Sequence, residues 1–287
     1  MIGIRIIKGS SFFEFGMNQC KLILGDHLEK LFAIQQCLYQ FASSSSATEF
    51  ETENNISLSV QINESEVNKK KMQIFKIGDA FELQDELKMN TKSYLQAYCE
   101  TLLNDETYYN SINTISILFQ SLSQELNLNS DQFSIEFADM NVKQLIKLIN
   151  VKLLQDDLYS SAYNLSYEDY YLYQLNVLLA IDASLYENQV FCILKLHTLT
   201  EKLYTKIREF KNIRFLIFSV KCICKINIED IYYIGLRNVV DFGNEDQIYD
   251  LFSTKKQTME EIKNMIKDYF IKLSNGTKND IVDLIMK

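Results

Sequence analysis

The chain has 287 residues, 47% of them hydrophobic and 23% charged, a globular balance that excludes wholesale disorder. Its formal net charge of −9 argues against a surface coated uniformly in positive charge for nucleic acid. Proline and tryptophan are absent and glycines number eight, a pattern of an AT-rich coding sequence that removes most loop punctuation.

Met1–Lys8 is too short and too alternating for a signal peptide. No apolar stretch reaches transmembrane length, so the expected location is the cytoplasm. Six cysteines (Cys20, Cys37, Cys99, Cys192, Cys222 and Cys224) then read as reduced, mostly buried thiols. Cys222 and Cys224 form a C-x-C pair with no second pair or nearby histidine to complete a zinc set.

Taken in order, Ile2, Ile4 and Ile6 alternate as a strand, and Phe13 with Phe15 marks a second. Lys21–Leu24 is an apolar run ending at Gly25, followed by a predicted helix from about Leu28 to Phe41. Ser43–Ser46 reads as a surface loop; Ile56, Leu58, Val60 and Ile62 alternate again, as do Met72, Ile74 and Ile77 less regularly. Asp79 to Asn127 contains no glycine and reads helical throughout, with a candidate break at Asn104–Thr107. The spacing of Ile112, Ile115, Phe119, Leu122 and Leu126 is that of a coiled-coil seam, which predicts a helical leg projecting from the body.

Phe133, Ile135 and Phe137 suggest another strand, and Asn141 with Gln144 a capping box. Ser166 and Asp169 open a helix running to about Tyr186. Next come a strand at Gln189–Leu196, a charged helix at Thr200–Glu209 and a strand at Ile213–Val220, the spacing of a parallel crossover. Ile262, Ile266, Tyr269 and Leu273 share a helical face, and Asn275-Gly276 makes a turn before a last short helix. The resulting architecture is an α/β head with a mostly parallel sheet at 1–78 and 133–252, an inserted leg at 79–132, and C-terminal helices at 253–287.

Lys21–Lys30 has the layout of a phosphate-binding loop: strand, glycine turn, then a helix starting near a lysine. A working loop needs a second glycine before the lysine and a hydroxyl after it, to wrap phosphate in amides and to hold magnesium. Here Lys30 follows Gly25 one residue too early, Glu29 occupies the second-glycine position, and Leu31 replaces the hydroxyl. The strand that would carry a metal-binding carboxylate ends instead in Lys195 and His197. These features describe a degenerate P-loop-like unit that binds no nucleotide and is not an enzyme. His27 and His197 have no recognisable nucleophile partner in sequence.

Charge is strongly segregated. Asp79–Asp131 holds nine acids and two bases, Lys88 and Lys92, whereas Lys195–Lys225 holds eight bases and two acids. Lys69, Lys70, Lys71 and Lys76 cluster without an acid. Lys69, Lys70, Lys71, Lys202, Lys206, Arg208 and Lys211 are therefore the candidate phosphate contacts, against the blander reading of solvated loop and helix faces.

Five segments stand out together: Ile23-Leu-Gly-Asp-His-Leu-Glu-Lys30, Phe75-Lys-Ile-Gly-Asp79, Asn164-Leu-Ser-Tyr-Glu168, Phe191-Cys-Ile-Leu-Lys195 and Lys211-Asn-Ile-Arg-Phe-Leu-Ile-Phe218. Taken together they resemble the long-form, type II-A CRISPR adaptation accessory family. The weight lies in their order and spacing. The chain departs from the family in a short loop between its last two core strands and in its helix-rich C-terminus, so the family's DNA contacts are not carried over individually. The resemblance implies a homotetrameric ring that binds ends of double-stranded DNA without catalysis. It also implies bound Ca²⁺ and partnership with the CRISPR integrase complex and the type II effector nuclease. An acidic leg could supply carboxylates to Ca²⁺, and a basic head could meet phosphates. The alternative is a structural or partner-binding module on the same degenerate fold, with no DNA role.

Overall fold

The computed structural model describes residues 1–43, 48–68, 72–78, 82–89, 93–127, 134–137, 141–185, 190–252 and 258–274. Lys69, Lys70, Lys71, Lys92, Phe133, Tyr186 and the Asn275-Gly276 turn lie outside the described residues.

The chain begins with an antiparallel pair, β1 (Ile2–Lys8) and β2 (Ser11–Met17), then enters β3 (Cys20–Gly25). Helix α1 (Leu28–Ser43) and the short α2 (Glu49–Glu53) lead to β4 (Leu58–Ile62), β5 (Ser65–Glu66) and β6 (Gln73–Ile77). Helices α3 (Glu82–Glu86), α4 (Tyr94–Leu103), α5 (Tyr109–Asn127) and α6 (Val142–Ile146) follow. A small hairpin, β7 (Leu153–Gln155) and β8 (Leu158–Ser160), precedes α7 (Tyr167–Asp182). Then come β9 (Val190–Leu199), α8 (Glu201–Ile207), β10 (Ile213–Cys222), β11 (Ile231–Ile234), β12 (Val239–Asp241), α9 (Glu245–Phe252) and α10 (Met259–Ser274).

Two sheets carry the fold. The larger has the order β12-β11-β3-β10-β9-β6, parallel from β11 through β6 and closed by antiparallel β12. The smaller has the order β2-β1-β4-β5 and is antiparallel. Successive side chains of a strand point to opposite faces. Accordingly Leu22, Cys192, Leu194, Phe215 and Ile217 pack into one core with α4, α7, α9 and α10. Ile23, Phe191, Ile193, Leu216 and Phe218 pack into another with α1 and the small sheet. Both faces of the parallel sheet are thus covered, as continuous apolar strands require.

The helical region differs from its sequence reading. Asp79–Asn127 is not helical throughout: α3 ends at Glu86, α4 starts only at Ser93's cap, and Asp105 opens a 3-10 turn before α5. Met89 takes a left-handed φ of 55°, which breaks the helix where no glycine announces it. Leu83, Tyr94 and Leu95 are core residues, and Tyr94 Oη donates to Gln174 Oε1 of α7 at 3.0 Å. This part of the segment therefore packs into the body, because its apolar residues face α7, and does not project from it. On α5, Ile112, Ile115 and Phe119 are half-buried while Ile117, Leu118, Leu122 and Leu126 are exposed.

Ile135 and Phe137 form no strand; they run back along α5 instead. Ile135 donates to Asn127 Oδ1 at 2.7 Å, Phe137 donates to Ser123 Oγ at 3.2 Å, and the Phe119 and Phe137 rings lie 5.0 Å apart. Helix α7 stops at Asp182, short of Tyr186, and the Asp182 carboxylate accepts from the backbone of Lys211, Asn212 and Ile213.

A buried ion pair joins the layers. Lys21 of β3 is fully buried, donates to Glu229 O at 2.7 Å and pairs with Asp241 of β12. Asp241 also accepts from Gly16 N of β2 at 2.6 Å and Gly243 N at 2.9 Å. Burial pushes the Lys21 ammonium below its ordinary pKa, and Asp241 opposes that shift. Breaking such a pair leaves an uncompensated charge. Lys21→Met should cost about 3–5 kcal/mol, and Lys21→Met with Asp241→Asn should recover much of it. Urea midpoints of the three chains check this, and a single-variant loss under about 1 kcal/mol would contradict it.

Candidate functional site

In open α/β sheets, ligands bind in the crevice outside the carboxyl ends of the strands. Here that crevice is formed by the β3–α1 turn and the ends of β9 and β10. It holds a cleft of about 580 Å³ lined by Gly25, Asp26, Leu28, Phe32, Lys195 and Val220. A second cleft, of about 460 Å³, is walled by Tyr163, Tyr167, Tyr171, Lys195 and His197. Lys195, Leu196 and Val220 belong to both.

The turn uses its own polar groups. Asp26 N and His27 N both donate to Ile234 O of β11, at 3.1 and 3.2 Å. Lys30 N, at the start of α1, donates to His27 Nδ1 at 3.4 Å. The amides of a phosphate cradle are thus partly engaged inside the protein, and His27 caps the helix end that would face an anion. Asp26 Oδ2 accepts from Tyr233 Oη at 2.8 Å, which puts a carboxylate in the turn. Gly25 has a structural use. A Cβ there would stand 2.0 Å from Ile234 O, so β11 can pass only against a glycine.

Leu31 is half-buried at the position of the magnesium-binding hydroxyl, and Leu28 and Phe32 beside it are exposed at 78% and 61%. Within β9, which runs past Lys195 and His197 to Leu199, Lys195 O accepts from Tyr171 Oη at 3.3 Å. Tyr167 Oη donates to Thr198 O and accepts from Thr198 N, at 2.7 and 2.8 Å. The tyrosine-rich start of α7 therefore holds the strand end in place.

The candidate phosphate contacts on α8 do not stand as free cations. Lys202 lies 3.8 Å from Glu168, Lys206 2.8 Å from Glu209, and Arg208 3.2 Å from Asp230. Asp230 is buried and also accepts from Tyr204 Oη at 2.9 Å. Burial pushes its carboxyl upward in pKa, while Tyr204 and Arg208 pull it down, so the guanidinium neutralises a core acid. Lys211, Lys221 and Lys225 are exposed, the first with its backbone anchored on Asp182. Lys76 lies over the Tyr39 ring at 5.2 Å. Sequence reasoning missed Asp182, Asp230, Asp241 and the capping role of His27. The Lys206–Glu209 pair, three residues apart across the end of α8, was visible in the spacing.

No family model matches the sequence, and no curated protein matches it. A solved structure does match. Stu0660 of Streptococcus thermophilus superposes with a TM-score of 0.72 at 14% identity, covering 99% of this chain and 91% of that one. The chain has the Stu0660 fold. The ADP conformation of MJ1267, an ATP-binding cassette of an ABC transporter, matches with a TM-score of 0.38 at 14% identity, over 91% of this chain and 98% of that one. That score is too low to show a shared fold.

Among the described residues no group of three or more His, Cys, Asp or Glu is placed to hold a metal ion. The Ca²⁺ implied by the family resemblance therefore has no such cluster there. Among the same residues, no helix is long and apolar enough to cross a membrane.

Gly25→Ala should destabilise the chain by roughly 1–3 kcal/mol, because the β3 turn must move away from β11. Lys30→Ala, at a half-buried side chain, should cost less, within about 1 kcal/mol. Thermal unfolding of both variants measures the contrast, and the reverse order would contradict this account of the turn.

Proposed function

We propose that the chain is a non-catalytic, double-stranded DNA end-binding protein acting in CRISPR spacer acquisition as a closed homo-oligomer. The observation that carries this reading is the fold shared with Stu0660 of Streptococcus thermophilus along nearly the whole chain. The five segments of family resemblance support it independently, since they rest on residues and not on the superposition. Its partners under this reading are duplex DNA, further copies of itself, the CRISPR integrase complex and the type II effector nuclease.

The crevice supports the absence of catalysis: a carboxylate, a capped helix end and a leucine stand where phosphate and magnesium chemistry needs amides and a hydroxyl. DNA contact falls instead to the basic surface of the head. Because α8 cations already have carboxylate partners, phosphate must compete with Glu168 and Glu209 for Lys202 and Lys206. Exposed Lys211 requires no such exchange. The exposed rim of Leu28, Phe32 and Val220 favours a second reading, a partner-docking module without a DNA role.

Phosphate contacts release counterions, so binding should weaken steeply with salt and be nearly indifferent to base sequence. Lys202→Glu, Lys206→Glu and Lys211→Glu together should weaken binding and flatten the salt slope by about one unit for each phosphate no longer neutralised. Arg208 is left intact, since removing it would strand Asp230. Lys88→Glu, on the acidic segment beside Asp85, should have little effect. Titrations of linear and closed-circular duplexes of equal length, at two salt concentrations, test the reading. Linear DNA should bind and circles should not. Equal binding to circles removes the ring, and no binding to either leaves the docking module.

A further inference from the structure

Cys222 ends β10 and Cys224 follows two residues later, with exposed Ile223 between them anchored by its amide on Leu199 O at 3.0 Å. Residues two apart in extended chain face the same way, and the two sulfurs meet at 3.4 Å, in hydrogen-bond contact. They line a cavity of about 270 Å³, together with Lys225, Asn227, Ile228 and Lys267. A bond between these sulfurs therefore needs little movement, and a small oxidant has a path to them.

We propose that Cys222 and Cys224 are a reactive dithiol, which a hydroperoxide converts reversibly into an intrachain disulfide. The Cys222 thiolate attacks the outer oxygen of the hydroperoxide, the O–O bond breaks, and the alkoxide leaves as the alcohol after taking a proton from water. The Cys222 sulfur is then a sulfenic acid. The Cys224 sulfur attacks it, the S–S bond forms, and hydroxide departs as water with the Cys224 proton. One hydroperoxide is reduced to alcohol and water while two thiols are oxidised.

The environment divides the roles. The hydrogen bond with Cys224 holds the Cys222 thiol below its ordinary pKa, against burial, whereas that contact and burial push Cys224 upward. Lys225 and Lys267 line the cavity, and the Glu201 carboxylate of α8 disfavours a thiolate there. Cys20 and Cys192 are fully buried, and burial raises both, Cys20 to about 12, so neither competes for oxidant. The crosslink would close the chain just before the turn that holds Glu229 and Asp230 against Lys21 and Arg208.

The test is peptide mass mapping of the native full chain, treated with hydrogen peroxide and then alkylated. The peptide bearing both cysteines should lose two hydrogens and resist alkylation until a thiol reductant is added. Before oxidation, Cys222 should alkylate roughly ten-fold faster than Cys20. In Cys224→Ser, Cys222 should stop at the sulfenic acid and be trapped by dimedone. If that variant fails to fold, the wild-type map decides alone. The proposal is overturned if both thiols remain alkylatable once peroxide has modified half-buried Cys99.

Discussion

The fold turns on a charge placed inside it. Lys21 is the second residue of β3, a strand flanked by β11 and β10, and its ammonium reaches Asp241 and the Glu229 carbonyl. An isolated ammonium there would cost several kcal/mol in lost hydration, so the surroundings must converge on it. They do so from four directions: β3 supplies the cation, β12 the carboxylate, β2 the Gly16 amide, and the turn before β11 the carbonyl. The same turn carries Asp230, which Tyr204 and Arg208 hold from α8. One connected polar network therefore fixes the antiparallel sheet, the parallel sheet and the helix that follows β9.

That arrangement shapes what the crevice can do. Because β11 is drawn against β3, the turn after β3 finds the Ile234 carbonyl within reach of two of its amides. A loop that closes on its own protein has fewer donors to offer a phosphate. Gly25 permits the close passage of β11, and the β3–α1 turn is a packing element. Leu28 and Phe32 then face outward at the mouth of a cleft that has become largely apolar.

Much of the fold was legible because its signals are local. The alternation of Ile2, Ile4 and Ile6, the helix starts at Asn141, Ser166 and Thr200, and the β9–α8–β10 crossover all follow from short-range pattern. The candidate site was harder to read, since charge counts ignore partners. Lys202 and Arg208 looked free because Glu168 and Asp230 lie far away in sequence, and Asp230 is buried besides. Lys21 read as the flank of an apolar run, and nothing local marks Asp241 as its partner. Ile135 and Phe137 had a strand's alternation, yet Asn127 and Ser123 of α5 take their amides, so no ladder forms.

The central claim is that this chain meets phosphate on its basic surface and leaves the crevice of its parallel sheet unused for nucleotide. Amide hydrogen exchange on the full chain, with linear duplex DNA and separately with Mg-ATP, tests it most directly. The account predicts slowed exchange around Glu201–Lys211 with DNA, and no change across Gly25–Lys30 with nucleotide. Protection of Gly25–Lys30 by Mg-ATP, with Glu201–Lys211 unaffected by DNA, would contradict it.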